Sequence, residues 1–316
     1  MNLNFTSNNS YNKIYSSGIY NYTKKKSNLE IPNLMRERSI SNFSNLKNNI
    51  KTPNINSKNN PQTKTLIKSV IPCDELFREI EIDNLLIDDT KIPKYVFQTW
   101  KNKLLTKEMK INILKFRNQH KDFTFFLYDD KMCIDFLKKH YNQDVVDAFN
   151  SLIPGPFKAD LWRYCVLYKY GGVYMDIKLN CINGFNLNTI IHEECYPKDI
   201  FRKQCGIWQG FLICKPNSMI FKKCIDCICM HVKYRFYGNT FLSVTGPHLI
   251  FNILVKYNKQ DLYDNSKMKL VRKNKILYLY YNNKPVINFY KEWYRDRGLY
   301  EGPRYGTLWD KRDIYT

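Results

Sequence analysis

Four side chains within nineteen residues could serve one site: Asp160, Arg163, Asp176 and Lys178, in the stretch Pro154 to Asn183, PGPFKADLWRYCVLYKYGGVYMDIKLNCIN. Asp160 and Arg163 are three apart and share a face of any helix that carries them. Tyr174 sits two residues before Asp176 and would share its face of a strand. A carboxylate accepts hydrogen bonds, a guanidinium donates in a fixed fork, and an ammonium pairs with phosphate. Spacing alone is also compatible with a local Asp160–Arg163 salt bridge, a core Tyr174 and a solvated lysine at a strand end.

The elements that must position them read out of the same stretch. From Phe157 to Tyr170 the apolar residues Leu161, Tyr164, Cys165, Leu167 and Tyr168 recur at helical spacing, and Gly171-Gly172 stops the helix. Val173 to Met175 reads as a buried strand delivering Asp176 to its carboxyl end, where open α/β sheets bind ligands. Upstream, IPKYVFQTW (92–100) predicts a first strand with Pro93 at its start, where the missing N–H costs least, and Thr106 caps a helix through Phe116. Phe123–Tyr128 predicts a strand ending in Asp129-Asp130, and helices follow at 131–140 and 144–152. Downstream the pattern predicts a strand Ile207–Cys214, helices Ser218–His231 and Leu249–Tyr257, and strands Met268–Val271 and Ile276–Tyr281. This alternation implies an α/β fold with a mainly parallel sheet flanked by helices, followed by a loop-rich C-terminal flap from Trp293.

Charge narrows the partner's sign. The 316 residues carry a formal +21; residues 1–70 hold nine Lys and two Arg against Glu30 and Glu37, a local +9, which leaves +12 for the rest. Basic surfaces favour phosphate-bearing partners. Residues 1–70, rich in Asn, Ser and Lys, predict a disordered basic tail, able to touch an anionic surface, ahead of one α/β domain over 71–316. The acidic amphipathic stretch from Cys73 to Asp89 is expected to dock on that domain. No signal peptide reads from the N-terminus and no apolar run approaches the ~18 residues of a membrane helix, so a soluble, cytoplasmic setting with free thiols is expected. Cys224, Cys227, Cys229 and His231 fall on one helix, which suits packed thiols better than zinc.

IPKYVFQTW, FFLYDD, KADLWRYCVLYKYGGVYMDIK and VTGPHL, in that order, resemble glycosyltransferase family 32, DXD-motif sugar transferases related to initiating mannosyltransferases and clostridial glucosylating toxins. The likeness covers about residues 90–255, with an echo near Trp309. It implies a GT-A (Rossmann-like) nucleotide-sugar transferase fold, a nucleoside-diphosphate sugar donor, a glycan or protein acceptor, and retention of configuration. By the resemblance Asp160 and Arg163 hold donor-sugar hydroxyls, Tyr174 lies beside the donor, Trp100 stacks on the base, and Gln209 sits near the anomeric centre. Asp176 matches the first acid of the DXD motif, which implies Mn²⁺ or Mg²⁺. The second acid is replaced by Lys178, and an ammonium cannot ligate a metal. Aligning Trp309 with the toxin pattern E-x-x-S-x-W puts Thr307 on the Ser and Arg304 on the Glu. The expectation is that Lys178 and Arg304 supply charge to the leaving diphosphate. Two rivals remain at this level: a non-catalytic relative that binds sugar nucleotides or glycans, suggested by the broken motif, and a nucleic-acid binder, against which stands the absence of a recognisable reader module.

Overall fold

The computed structural model describes residues 70–81, 88–201, 204–274, 276–299 and 302–316. All of them lie in one compact unit, Pro61–Thr316, and the expected tail lies outside the described residues except for Val70. In chain order the elements are β1 (Val70–Pro72), β2 (Tyr95–Thr99), β3 (Leu104–Thr106), α1 (Lys107–Gln119), β4 (Thr124–Tyr128), α2 (Asp130–His140), α3 (Gln143–Ser151), α4 (Gly155–Tyr170), β5 (Gly172–Met175) and β6 (Leu179–Cys181). There follow β7 (Lys198–Phe201), β8 (Gln204–Ile207), β9 (Phe211–Cys214), α5 (Met219–Lys233), α6 (Pro247–Lys256), α7 (Asp261–Asp264), β10 (Met268–Lys273), β11 (Ile276–Tyr281), β12 (Lys284–Phe289), α8 (Trp293–Asp296) and α9 (Tyr305–Asp310).

A four-stranded sheet in the order β4-β2-β5-β9 forms the centre. β2 runs parallel to both β4 and β5, while β9 closes the edge antiparallel to β5. The chain steps to one side of β2 with β4 and to the other with β5, so the strand order reverses at β2, and the carboxyl ends of β2, β4 and β5 open on one edge. Such a reversal leaves a crevice between diverging loops.

The α/β expectation is met, with two corrections. The second sheet, β6-β12-β11-β10-β7-β8, is antiparallel apart from the β10–β7 pairing, so the fold is mixed rather than mainly parallel. The expected strand Ile207–Cys214 is two strands in different sheets, broken at Trp208-Gln209-Gly210. The C-terminal flap contains the short helices α8 and α9, and β12 went unpredicted.

The central helix α4 has ten of its sixteen residues buried. It therefore has almost no solvent face, and its charged residues must find partners inside. Trp162 packs on Tyr128 (ring centroids 4.7 Å) and Tyr164 stacks on Phe221 of α5 (5.4 Å). Gly171 ends α4 with φ +64°, and a Cβ there would lie 2.5 Å from the Pro216 nitrogen; Gly172, at φ +97°, would meet the Tyr95 carbonyl at 2.8 Å. Both the left-handed backbone and the lack of room require glycine. α1 is capped as expected: Thr106 Oγ1 accepts from Met109 N at 3.1 Å. Of the acidic stretch, Leu76, Phe77 and Ile80 are buried against the domain, as expected; residues 82–87 lie outside the described residues.

Candidate active site

A cleft of about 600 Å³ lies at the carboxyl ends of β2, β4 and β5, lined among others by Trp100, Asp130, Arg163, Tyr174, Asp176 and Lys178. Each strand end supplies one wall: Trp100 follows β2, Asp130 follows β4 and Asp176 follows β5. α4 enters from the side and presents Arg163.

These groups form one connected network. Arg163 Nη1 contacts Asp160 Oδ1 at 2.8 Å and donates to the Gln209 carbonyl at 3.0 Å. Arg163 Nη2 donates to the Tyr174 hydroxyl at 3.3 Å, and that hydroxyl donates to Asp176 Oδ1 at 2.9 Å. The guanidinium also stacks over the Tyr174 ring, 4.4 Å from its centroid. Asp160 Oδ2 accepts from the Thr245 hydroxyl at 2.8 Å. Asp160 thus stands behind Arg163 and fixes its orientation, while Arg163 faces the cleft.

The environment splits the two carboxyls. Burial pushes Asp160 up to about 6, with Arg163 and Thr245 pulling the other way. Burial also acts against ionised Asp176, but Lys178 and Arg163 outweigh it and hold that carboxyl below its ordinary value. An opposite charge within a few ångströms favours the ionised form, and desolvation favours the neutral one.

Lys178 Nζ pairs with Asp176 Oδ2. Its ammonium lies 5.2 Å from the Phe289 ring centroid, 5.8 Å from Trp293 and 5.9 Å from Trp208, within cation–π range of three faces. The donor set bears directly on the divalent ion implied by the resemblance. Asp176 is the sole acid of the motif, both its oxygens are engaged, and among the described residues no group of three or more His, Cys, Asp or Glu could hold a metal. A dication on Asp176 would also sit beside an ammonium: at 4 Å and an effective dielectric of 20 the repulsion is about 8 kcal/mol, twice that of two unit charges. These residues do not fit Mn²⁺ or Mg²⁺.

The remaining expected residues divide. Trp100 lines the cleft, and its ring meets Trp293 edge-on at 5.9 Å. Gln209 is buried, its side-chain amide donating to the Tyr164 hydroxyl and, at 3.1 Å, to the Thr245 carbonyl; it reaches Arg163 only through its backbone. Arg304 and Thr307 are exposed on α9 and its cap, outside the cleft lining, which takes Gly302, Pro303 and Leu308 from this segment. Trp309 donates its indole N–H to the Tyr237 carbonyl at 2.6 Å and packs against Phe241. The structure therefore gathers Asp160, Arg163, Tyr174, Asp176, Lys178 and Trp100, and sets Arg304, Thr307 and Trp309 apart. Cys224 is packed in the core, and His231 is occupied by the Val244 carbonyl at 2.7 Å and Cys227 Sγ at 3.4 Å.

Thr245, which the sequence left equally open as a cap of the following helix or a wall of the site, bonds Asp160, and the N-cap of α6 is Gly246. Two further contributors were not picked out from the sequence. Asp130 is exposed at the edge of the cleft, and partial desolvation by the protein around it pushes its carboxyl up to about 6 against Lys158 and Lys101. A carboxylate at the end of a parallel strand was the available signal. The aromatic ring of Trp208, Phe289 and Trp293 around Lys178 comes from distant segments and left no local signal.

Residues 106–197 match the family described as "Glycosyltransferase sugar-binding region containing DXD motif". The chain is 25% identical over 182 residues to a mannosyl phosphorylinositol ceramide synthase of Saccharomyces cerevisiae, covering 57% of this chain and 46% of that protein. It is 26% identical over 263 residues to inositol phosphoceramide mannosyltransferase 2 of Schizosaccharomyces pombe, covering 79% and 71%. It thus spans less than half the length of the first of these and just over two thirds of the second. Among solved structures, a PaToxG glycosyltransferase superposes with a TM-score of 0.42 at 14% identity, over 55% of this chain and 74% of the other. Asp160, Arg163, Tyr174, Asp176 and Lys178 all fall inside the family match.

Proposed function

From the premise that residues 106–197 are the sugar-binding region of a DXD-type glycosyltransferase, we propose that this protein transfers a hexose from a nucleoside-diphosphate sugar to a hydroxyl acceptor with retention of configuration. The observation that carries the reading is the buried Asp160–Arg163–Tyr174–Asp176 network opening into a cleft at the carboxyl ends of three strands. In the proposed pose the base lies near Trp100, the sugar meets Arg163 and Tyr174, and the diphosphate lies towards Lys178. Chemistry of this kind rests on positioning and on electrostatic stabilisation of the transition state.

Arg163 is already oriented by three acceptors before a ligand arrives, so little reorganisation accompanies binding. Thr245 and Gln209, both buried outside the cleft lining, hold Asp160 and Arg163 in place. Asp176, paired with Lys178 and bonded to Tyr174, is a poor nucleophile, which favours front-face displacement over a glycosyl-enzyme intermediate.

Because the similar yeast proteins are named for mannosyl transfer, a mannose-bearing sugar nucleotide is the first donor to try. Purified protein is incubated with a panel of sugar nucleotides, released nucleoside diphosphate is quantified, and the anomer formed is read by NMR. Release from at least one donor with the anomer retained is expected. Binding without release would instead support a non-catalytic sugar-nucleotide binder, and inversion would remove the proposed stereochemistry.

A further inference from the structure

We propose that Lys178 takes the place of the divalent ion, so that the diphosphate of the donor is bound, and its departure stabilised, by a fixed ammonium without metal. This rests on the glycosyl-transfer reading above. The first support is the donor set, with one acid doubly engaged by Lys178 and Tyr174. The second is the rigidity of the backbone that carries Lys178. Asn112 Nδ2 donates to the carbonyls of Ile177 (2.9 Å) and Leu179 (3.0 Å), flanking Lys178 on both sides. Tyr290 N donates to the Lys178 carbonyl at 2.9 Å, and Leu179 N closes a turn onto the Asp176 carbonyl at 3.0 Å. A solvated lysine at a strand end needs no such clamp.

The third support is the setting of the ammonium. It is held among Phe289, Trp293 and Trp208 and lines the cleft itself. The cleft lining carries four cations, Lys101, Lys158, Arg163 and Lys178, against the carboxylates Asp130 and Asp176. Asp160, paired with Arg163 just behind the lining, reduces the excess to one positive charge, which still favours a diphosphate. A site already holding Lys178 would lose the balance by adding a dication.

In the transfer step the bond from the anomeric carbon to the diphosphate oxygen breaks, and its electron pair leaves with that oxygen. The acceptor oxygen forms the new bond to the same carbon and gives its proton to the departing diphosphate. Lys178 keeps its protons throughout and faces the charge that develops on the leaving group. Charge-assisted hydrogen bonds of this kind are the stronger ones.

The test is calorimetric titration of GDP and UDP into the full chain, in EDTA and in Mn²⁺, for wild type, Lys178→Met, Lys178→Arg and Lys178→Asp. The expected result is wild-type binding of one nucleotide with equal affinity in both buffers. Lys178→Met weakens it roughly tenfold or more in both, while Lys178→Arg largely retains it. Lys178→Asp restores the second acid and makes binding depend on Mn²⁺. Wild-type binding that vanishes in EDTA and returns with Mn²⁺ overturns this inference and leaves the glycosyl-transfer reading standing. Lys178→Arg binding as weakly as Lys178→Met also overturns it. No binding of either nucleotide in either buffer overturns both.

Discussion

Removing the guanidinium at the centre of the network should destabilise the protein in a pH-dependent way. In Arg163→Met, Asp160 keeps only the Thr245 hydroxyl, and Asp176 keeps Lys178 and Tyr174. Stripping one partner from a buried ion pair costs roughly 3–5 kcal/mol when the other charge is left behind. Asp160 escapes part of that cost by taking up a proton. Its carboxyl is already pushed to about 6 by burial, with Arg163 among the groups restraining it, so losing Arg163 raises it further. Below pH 6 both folded proteins hold the proton and the stability gap is smallest. Above it the wild type is ionised, while the variant still binds a proton that the unfolded chain does not. Over that window the variant loses about 1.4 kcal/mol per pH unit on rising pH, and the gap opens until its own raised value is passed. Urea unfolding of both proteins at about pH 5, 7 and 8.5 measures it, each curve giving a free energy by linear extrapolation. A gap below ~1 kcal/mol that stays constant with pH would refute the coupled, buried pair.

Three further outcomes follow from the same geometry. Donor hydrolysis should fall as pH drops through about 6, where protonation of Asp160 dissolves the charge that orients Arg163; the same limb should persist in Asp130→Asn, the control for the other cleft carboxyl that is pushed upward. Tyr174→Phe removes a hydroxyl bonded to both Arg163 and Asp176, and should cost about 1–3 kcal/mol in urea unfolding. Gly210→Ala would put a methyl 2.5 Å from Trp208 Cζ2 and 2.7 Å from Asp176 Oδ2; a loss of about 1–3 kcal/mol in thermal melts, with weakened nucleotide binding by calorimetry, is expected.

The legible parts of the molecule were those written in local pattern. Helix α4 announced itself by apolar spacing closed by Gly171-Gly172, and the placement of Asp160, Arg163, Tyr174, Asp176 and Lys178 followed from it. Thr106 marked the start of α1 because capping is a local bond. What stayed hidden depends on tertiary context. Ile207–Cys214 reads as one apolar run, yet Gly210 must approach Asp176 closely, and its carbonyl accepts from Asp176 N at 2.9 Å; that contact breaks the strand and frees the Gln209 carbonyl for Arg163. β12 was masked by Pro285, although Asn282-Asn283, both at positive φ (47° and 63°), is a strong hairpin signal. Missing that hairpin hid one of the antiparallel pairings, β11 with β12, that make the fold mixed. Trp309 could be aligned by pattern, but its bond to Tyr237, 72 residues away in sequence, was beyond any local reading.

The most direct test of the account compares wild type with Asp160→Asn in the donor-hydrolysis assay, on the sugar nucleotide that wild type cleaves best. The amide keeps an acceptor for the Thr245 hydroxyl and removes the charge that orients Arg163. Hydrolysis should fall by roughly a hundredfold or more, with folding and binding of the free nucleoside diphosphate retained. Undiminished hydrolysis by folded Asp160→Asn would place the chemistry somewhere other than this cleft.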